Sequence, residues 1–311
     1  MIMQYAHYRD CDTGGRMKLS VVIPTYKPDR RLVQIVDKIM DQTEKPDRFI
    51  IINSCDKEEV KAGNSLINNL VEKYGKDILE VKNIPASEFD HGGTRHMAME
   101  MCDTEYVLFM TQDAVPKDEF LIERMASALS RDEKAAAVYA RQLPDEKCNP
   151  IERYTREFNY PAESSVKTKA DLERLGIKTY FLSDACAMYK KSIYDSLDGF
   201  PRQTIFAEDM IYASKAIEAD MHIIYEAKAE VIHSHNYTAR QQYRRNYDVG
   251  LTHSRFNYIF DKVKSESEGI KMVKITAKRL IQDGYWYLIP KLIIHSACKY
   301  LGYRAGKKSG R

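Results

Sequence analysis

Short apolar runs alternate with amphipathic stretches along the first part of the chain. Residues 18–26, 49–54 and 79–84 have the composition of buried β-strands. Between them, the spacing of apolar side chains predicts helices over residues 32–39 and 59–74. Alternation of strand and helix in this order predicts an α/β protein with a parallel sheet and right-handed crossovers.

The alternation continues less regularly towards residue 240. We expect further strands at residues 106–113, 135–140, 179–189, 222–225 and 229–235, and helices from residue 120 and over residues 205–218. Residues 151–178 are polar, aromatic and charged without clean periodicity. Such a segment is either a mobile lid or acceptor-binding loop, or plain solvated surface.

The composition is typical of a soluble globular protein. Of 311 residues, 44% are hydrophobic and 30% are charged, and no apolar run is long enough to span a bilayer. The net charge of +3 argues against a nucleic-acid-binding protein. The six cysteines are scattered without a CxxC pair or zinc spacing, so we expect reduced thiols in a cytoplasmic protein.

Three regions are expected along the chain. Residues 1–17 are polar, lack the apolar segment of a signal peptide and are predicted to lie outside the folded core. Residues 18–240 are predicted to form the α/β domain, and residues 241–311 a basic, aromatic helical region. The latter, with its Tyr285-Trp286-Tyr287 cluster, either lies at the surface of an anionic membrane or packs on the domain or on a second subunit.

Acidic and histidine side chains stand where predicted elements begin or end. Asp113 closes the strand at residues 106–113, where it either holds a divalent cation or caps the next helix. Glu208 and Asp209 begin a helix, where they either emerge as site residues or simply interact with the helix dipole. His233 and His235 project to one face of a strand, as metal ligands or as a polar end of the sheet.

A pair of glycines precedes another predicted helix. Gly92 and Gly93 stand before the helical residues 97–101, and Arg95 is expected in the first turn. Backbone N–H groups left free by such glycines can face an anion, with the arginine adding charge. The alternative is an ordinary loop and a capped helix.

Taken in order, these motifs resemble those of glycosyltransferase family 2, and within it the rhamnosyltransferase branch. The resemblance covers residues 18–247. It is carried by Val-Val-Ile-Pro-Thr-Tyr at 21–26, Asn53, Phe-Asp-His-Gly-Gly-Thr-Arg at 89–95, Gln112-Asp113, Leu-Asp-Gly-Phe at 197–200, Ala-Glu-Asp at 207–209 and His-Ser-His at 233–235. It implies a GT-A fold, Rossmann-like, with a mostly parallel central sheet flanked by helices and, here, a C-terminal helical extension.

The resemblance also implies roles for individual residues. Asp209 matches the general base, with Glu208 beside it, and Asp113 matches the metal-binding acid, with His233 and His235 as further metal or phosphate contacts. Nucleotide-sugar binding is expected at Pro24, Thr25, Tyr26, Asn53, His91, Gly92, Arg95, Gln112, Asp113, Arg244 and Arg245. We further expect acceptor contacts at Asp184 and Tyr160.

This chain departs from the family pattern at informative places. The aspartate motif reads Thr111-Gln112-Asp113, with one acid, so the cation is expected to be shared with histidine. Asn53 replaces the usual aspartate, and no tryptophan follows Arg245. Histidine would favour Mn²⁺ over Mg²⁺ as the divalent metal.

The function implied by the resemblance is inverting sugar transfer. The expected donor is dTDP-L-rhamnose, and the expected acceptor is a growing cell-surface polysaccharide or a glycan on a membrane lipid. The protein would then work in the cytoplasm, at the inner face of the cell membrane. A non-catalytic nucleotide-sugar sensor or scaffold on the same fold is the alternative. A nucleotidyltransferase is disfavoured, because Pro24-Thr25-Tyr26 stands where its phosphate loop would be.

Overall fold

The computed structural model describes residues 17–56, 64–263 and 266–310. Their centre is a nine-stranded sheet. Its strands are β1 (Leu19–Tyr26), β2 (Arg48–Cys55), β3 (Leu79–Pro85), β4 (Tyr106–Met110), β5 (Val115–Pro116), β6 (Ala135–Leu143), β7 (Ser165–Lys167), β8 (Cys186–Lys190) and β9 (His222–Ile232).

Helices flank the sheet and form the C-terminal region. They are α1 (Arg30–Met40), α2 (Ser65–Tyr74), α3 (His91–Glu100), α4 (Leu121–Ser130), α5 (Pro150–Asn159), α6 (Leu172–Leu175), α7 (Lys191–Ser196), α8 (Glu208–Glu218), α9 (Ala239–Arg255), α10 (Asn257–Phe260), α11 (Glu266–Gln282) and α12 (Ile289–Ser309). Short 3₁₀ turns lie at Ala86–Glu88, Lys169–Asp171, Gly176–Tyr180 and Trp286–Leu288.

The sheet has a parallel half and a mixed half. Its strands lie in the order β3-β2-β1-β4-β8-β6-β9-β5, with β7 also paired to β9. The pairs from β3 to β4 are parallel, whereas β8 runs antiparallel to both of its neighbours. Because parallel strands end at the same edge, the ends of β1, β2 and β4 bring their polar residues together.

Both faces of the parallel half are buried, which explains the continuous apolar runs. Alternate side chains of β1 and β2 enter two separate cores. Val21 and Ile51 pack with α1 and α4 on one face, whereas Val22, Ile50 and Phe109 pack with α3 and α8 on the other. The predicted α/β architecture with flanking helices is thus what the chain forms.

Several element boundaries differ from the sequence prediction. Residues 151–178 are not an irregular lid, because they contain α5, β7 and α6. The predicted strand over 179–189 shortens to β8, and the two strands predicted over 222–235 are one, β9, that ends before His233. Two segments of the sequence prediction lie outside the described part of the chain. They are residues 1–16 and residues 57–63, which include the start of the second predicted helix.

The C-terminal region packs on itself through backbone contacts. A Cβ added at Gly306 would lie 1.9 Å from the Tyr247 carbonyl oxygen, and one at Gly302 would lie 2.2 Å from that of Tyr243. Gly250 on α9 makes the reciprocal approach to α12, at 2.2 Å from the Tyr303 carbonyl oxygen. Glycine at these positions therefore lets α9 and α12 cross closely. The predicted division at residues 240 and 241 falls in the first turn of α9 and stays a prediction.

The connection between α11 and α12 exposes large apolar side chains. Trp286 is 68% exposed and Tyr287 is 58% exposed. Further exposed apolar residues nearby are Ile281, Tyr285, Ile293 and Ile294; we call these six residues the apolar tip. In the described part of the chain, no helix is long and apolar enough to cross a membrane.

Candidate active site

Asp113, His233 and His235 form a cluster at the end of β4. The Nε2 atoms of His233 and His235 lie 3.4 Å and 3.6 Å from the two carboxylate oxygens of Asp113, and 3.1 Å from each other. Candidate ligand atoms of all three residues lie within 4.8 Å of one another. The cap of α4 is Phe120, so Asp113 does not serve as that helix cap. The arrangement fits one divalent cation with an oxygen and two nitrogen ligands.

The cluster is prepared for a cation by its hydrogen bonds. His233 Nδ1 lies 2.8 Å from Oε1 of the buried Gln142, which can only accept. Nδ1 therefore carries the proton and leaves the Nε2 lone pair free to bind a metal. Burial lowers the pKa of His235 to about 4, so this imidazole is neutral at pH 7.

A second cluster of charged side chains is buried beside the start of α8. The guanidinium of Arg95 places Nη1 3.0 Å from Glu208 Oε1 and Nε 3.3 Å from Asp184 Oδ2. No more than 6% of any of these three side chains is exposed. The hydroxyl of Tyr189 donates to the other oxygen of Asp184. Arg95 thus offsets two carboxylates that would otherwise be costly to bury.

Asp209 adjoins this cluster but remains partly exposed. Its carboxylate accepts from the Met210 N–H at 2.7 Å and from the Asp184 N–H at 3.2 Å. Burial raises the pKa of Asp209 well above its usual value, and the charges of Glu208 and Asp184 raise it further. Burial likewise raises the pKa of Asp184 to about 7. A carboxylate with a raised pKa, held by fixed donors and still reachable, can act as a general base.

The residue before this pair has an unusual backbone. Ala207 adopts φ 61° and ψ 27°, in the left-handed region that non-glycine residues avoid. It is the N-cap of α8 and offers no side-chain hydrogen bond to the helix. Strained conformations of this kind cluster at functional sites, since the surrounding structure holds them in place.

Arg245 spans the space between the two clusters. Its guanidinium lies 4.4 Å from the ring centre of Phe206, close to Asp209 in sequence, and 5.8 Å from that of Tyr237. Tyr237 in turn stacks on His235 at 4.8 Å. Arg244 instead lines a separate groove with Tyr243, Tyr247 and Asp248. Of the two predicted arginines, the structure therefore brings only Arg245 to the clusters.

The predicted nucleotide-binding residues of β1 and β2 lie at adjacent strand ends. Thr25 Oγ1 donates to Asn53 Oδ1 at 3.1 Å, and both residues are buried. Pro24 is buried in the same strand, whereas Tyr26 is 50% exposed. Gln112 reaches across from the end of β4 and bonds to the backbone of Tyr26. The backbone of Tyr26 is therefore tied to the residue that precedes Asp113.

The glycine pair has a packing role. Helix α3 begins at His91, capped by Asp90, rather than after the glycines, so Arg95 lies in its second turn. Gly92 N–H donates to the Thr204 carbonyl and Gly93 N–H donates to the Asp90 side chain. A Cβ at Gly92 would lie 2.1 Å from the Pro201 carbonyl oxygen. The absence of a side chain at these glycines therefore allows the loop before α8 to pack closely against α3. Their N–H groups are already hydrogen-bonded within the protein and are not free to bind an anion.

His91 and the two expected acceptor residues occupy different surroundings. His91 Nδ1 lies 3.8 Å from Glu208 Oε1, and its ring contacts Phe206, near Arg245. Tyr160 is only 6% exposed and packs on Phe181, and the carboxylate of Asp184 faces inward. Acceptor contacts by Tyr160 and Asp184 stay predictions.

Sequence reasoning missed two residues that organise the cluster of Asp113, His233 and His235. Gln142 holds His233, and Arg156 donates to the same Gln142 oxygen. Gln142 follows the apolar run of β6, the same strand-end position that singled out Asp113. That signal could have identified it. Arg156 lies on α5, in a segment without readable periodicity, and offered no such signal.

Comparison with known proteins identifies the family of the chain. Residues 20–198 match the family described as "Glycosyl transferase family 2". The O-antigen chain rhamnosyltransferase RfbN of Salmonella typhimurium is 38% identical over 94% of this chain and 90% of its own length. WbaN of Salmonella anatum, also an O-antigen chain rhamnosyltransferase, is 36% identical over 93% of this chain and 89% of its own.

Solved structures share the fold at low sequence identity. The mannosyltransferase PcManGT of Pyrobaculum calidifontis, in complex with GDP-Man and Mn²⁺, superposes with a TM-score of 0.64 at 13% identity, covering 96% of this chain and 88% of that one. TarS 1–349 of S. aureus, in complex with UDP-GlcNAc, has a TM-score of 0.53 at 17% identity, covering 94% and 91%. The predicted GT-A class is confirmed. The chain therefore belongs to glycosyltransferase family 2, in its rhamnosyltransferase-like branch.

Proposed function

We propose that this glycosyltransferase moves L-rhamnose from dTDP-L-rhamnose to a hydroxyl of a growing, lipid-linked cell-surface polysaccharide, with inversion at the anomeric carbon. The observation that carries the proposal is the pairing of two clusters through Arg245: three candidate metal ligands, and the partly exposed Asp209 carboxylate with its raised pKa. A nucleoside diphosphate fits the first cluster, and an acceptor hydroxyl fits the second.

Asp113, His233 and His235 would hold the divalent cation. The donor set is an oxygen with two imidazole nitrogens, which favours Mn²⁺ over Mg²⁺. When bound, the ion supplies positive charge to the diphosphate leaving group. His233 is oriented for this task by Gln142, and the guanidinium of Arg245 lies over Tyr237, which stacks on His235.

Asp209 would remove the acceptor proton. As the hydroxyl oxygen attacks the anomeric carbon, the bond to the diphosphate oxygen breaks and the proton passes to the Asp209 carboxylate. A single displacement with one base inverts the anomeric centre, whereas retention through a covalent intermediate would need a nucleophilic carboxylate. Arg95 would hold the side chains of Glu208 and Asp184 in place behind this base.

Support for rhamnose comes from the two Salmonella relatives, both described as O-antigen chain rhamnosyltransferases. A panel of sugar nucleotides, each assayed with MnCl₂ for nucleotide release and product, tests donor and activity together. Release from dTDP-L-rhamnose above that from UDP-glucose and GDP-mannose is expected. Tight binding of a sugar nucleotide without any turnover would instead favour the sensor or scaffold alternative.

The apolar tip is proposed to touch the inner face of the cell membrane, where a lipid-linked acceptor would be. Its Trp286 and Tyr287 are mostly exposed, and exposed Lys278 and Lys291 lie beside it. Aromatic side chains flanked by lysines suit the interface of an anionic bilayer. A second subunit is the competing partner for the same surface.

Vesicle co-sedimentation tests this contact. Removing everything after Gly269 would also remove α12 from its close packing on α9, so the double change Trp286→Ala with Tyr287→Ala is the cleaner variant. Binding to phosphatidylglycerol vesicles should fall in this variant. Its oligomeric state, measured by sedimentation equilibrium, should be that of the wild type. A loss of dimer with unchanged vesicle binding would assign the tip to a subunit interface.

A further inference from the structure

A pocket lies against His235 on the side of the C-terminal helices. His235 and Tyr237 form part of its lining, and α12 contributes His295, Ser296 and Lys299. The pocket therefore joins the end of the metal cluster to a helix far away in sequence. None of the sequence motifs of the sugar-transfer site includes these α12 residues.

Lys299 is a cation without an ion-pair partner in the described part of the chain. Its side chain is partly buried, and this burial lowers its pKa. Glu152 is the acid whose charge acts on it. That carboxylate already pairs with Arg156, at 2.6 Å between Oε1 and Nη2. Lys299 is thus left with its charge poorly compensated.

The surroundings of Lys299 carry a surplus of positive charge. Arg156 and Arg245 both act electrostatically on Lys299, and the same two arginines act on His235. Lys299, Arg156 and Arg245 thus face two acids, of which Glu152 is already paired with Arg156 and Asp113 lies in the cluster with His235. Like charges brought together at a partly buried site destabilise one another unless an anion joins them. A site of this kind favours a multiply charged anion.

We propose that this pocket receives phosphate oxygens of a substrate bound at the adjacent metal cluster, and that Lys299 binds them. The inference deepens the proposed function and rests on it. Two diphosphate groups have the required chemistry. One belongs to the sugar nucleotide, and the other joins an acceptor glycan to its lipid. In either case the C-terminal helix α12 belongs to the substrate-binding site rather than only to the exterior of the fold.

Calorimetry with three probes tests the pocket and separates the two sources. The probes are inorganic pyrophosphate, dTDP with MnCl₂, and farnesyl diphosphate in detergent. Lys299→Met should weaken pyrophosphate binding roughly tenfold, since a charge-assisted hydrogen bond is lost. Lys299→Arg should bind nearly as the wild type does. Lys308→Met, at the exposed end of the same helix, is the matched control and should bind normally.

The pattern across probes decides the source. A parallel loss for dTDP assigns the pocket to the donor, and a loss for farnesyl diphosphate without one for dTDP assigns it to the lipid diphosphate. Unchanged binding of all three probes by folded Lys299→Met would overturn the proposal. If that variant does not fold, reductive methylation of wild-type lysines with and without pyrophosphate gives the same answer. Protection of Lys299, but not of the exposed Lys308, is expected.

This test is independent of turnover. Pyrophosphate binding needs no sugar transfer, so failure of every sugar nucleotide as a donor would refute the proposed function and leave the binding result readable. Conversely, active rhamnose transfer by Lys299→Met with wild-type KM values for donor and acceptor would refute the role of the pocket alone.

Discussion

The side chain of Gln112 forms two hydrogen bonds with the backbone of Tyr26. Its Nε2 donates to the Tyr26 carbonyl at 3.0 Å, and its Oε1 accepts from the Tyr26 N–H at 2.8 Å. The residue beside the single acid of the aspartate motif thus ties the end of β1 to the end of β4.

Gln112→Ala should loosen the exposed end of β1 without disturbing the core. With both bonds lost, dTDP affinity is expected to fall about three- to tenfold, in line with the net strength of one hydrogen bond or slightly more. Titration calorimetry measures the affinity, and thermal unfolding should show little change because the bonds are solvent-exposed. Wild-type affinity in the variant would mean that the Tyr26 backbone takes no part in nucleotide binding.

Asp209→Asn should abolish transfer and spare donor binding. The amide oxygen can still accept from the Met210 N–H, so the local structure is kept while the proton acceptor is lost. A decrease in kcat of about a hundredfold or more is expected. Single-turnover kinetics and dTDP titration together measure the two effects. Turnover within about tenfold of the wild type would exclude Asp209 as the base.

Arg95→Met should destabilise the whole domain. Glu208 and Asp184 would stay buried without their shared counter-charge, which typically costs about 3–5 kcal/mol. Urea unfolding measures the free energy of unfolding. Arg202→Met removes an exposed ion pair with Asp198 and serves as the control, with near-normal stability expected. Equal effects of the two substitutions would contradict the central role of Arg95.

Activity should depend on pH through Asp209. Burial and the charges of Glu208 and Asp184 raise its pKa, and a base works only when it is unprotonated. Hence kcat/KM should fall as pH drops through this raised pKa. Asp184→Asn removes one negative neighbour, so the same decrease should occur at lower pH. If the pH–rate profile of Asp184→Asn is the same as that of the wild type, the charge of Asp184 does not raise the pKa of the base.

Gly306→Ala should disrupt the packing of α12 on α9. Its Cβ would meet the Tyr247 carbonyl oxygen at 1.9 Å, and overpacking of this kind costs about 1–3 kcal/mol. Gly269→Ala is the matched control, because nothing lies within 4 Å of the added Cβ. In α11 it should stabilise by about 0.5–1 kcal/mol. Hydrogen exchange of α12 would report the difference, and equal protection in both variants would contradict the close crossing.

The parallel half of the fold was predictable because its signal is local. β1 and β2 are buried on both faces, so their apolar runs are continuous and end at polar residues. α5 escaped prediction, because its helix buries only Ile151 and Tyr154 among charged neighbours. β9 was divided in two by a register shift against β6, which interrupts the alternation.

The site was predictable in its acids and histidines but not in its partners. Asp113 and His235 each follow the apolar residues of one predicted strand, so they could be recognised from the local sequence. Arg95 and Asp184 form an ion pair although they are far apart in sequence. The spacing of residues along the chain does not indicate such a contact. The glycine pair suggested an anion site, yet the crowding that requires Gly92 comes from Pro201, which only the tertiary fold brings near.

The left-handed backbone at Ala207 has a consequence for how this enzyme could be altered. A left-handed alanine costs on the order of 1 kcal/mol, and this one lies directly before Glu208 and Asp209. Glycine at this position would remove the steric penalty and also widen the range of directions in which the start of α8 could point. Heat resistance and catalytic rate are therefore expected to trade against each other at this residue.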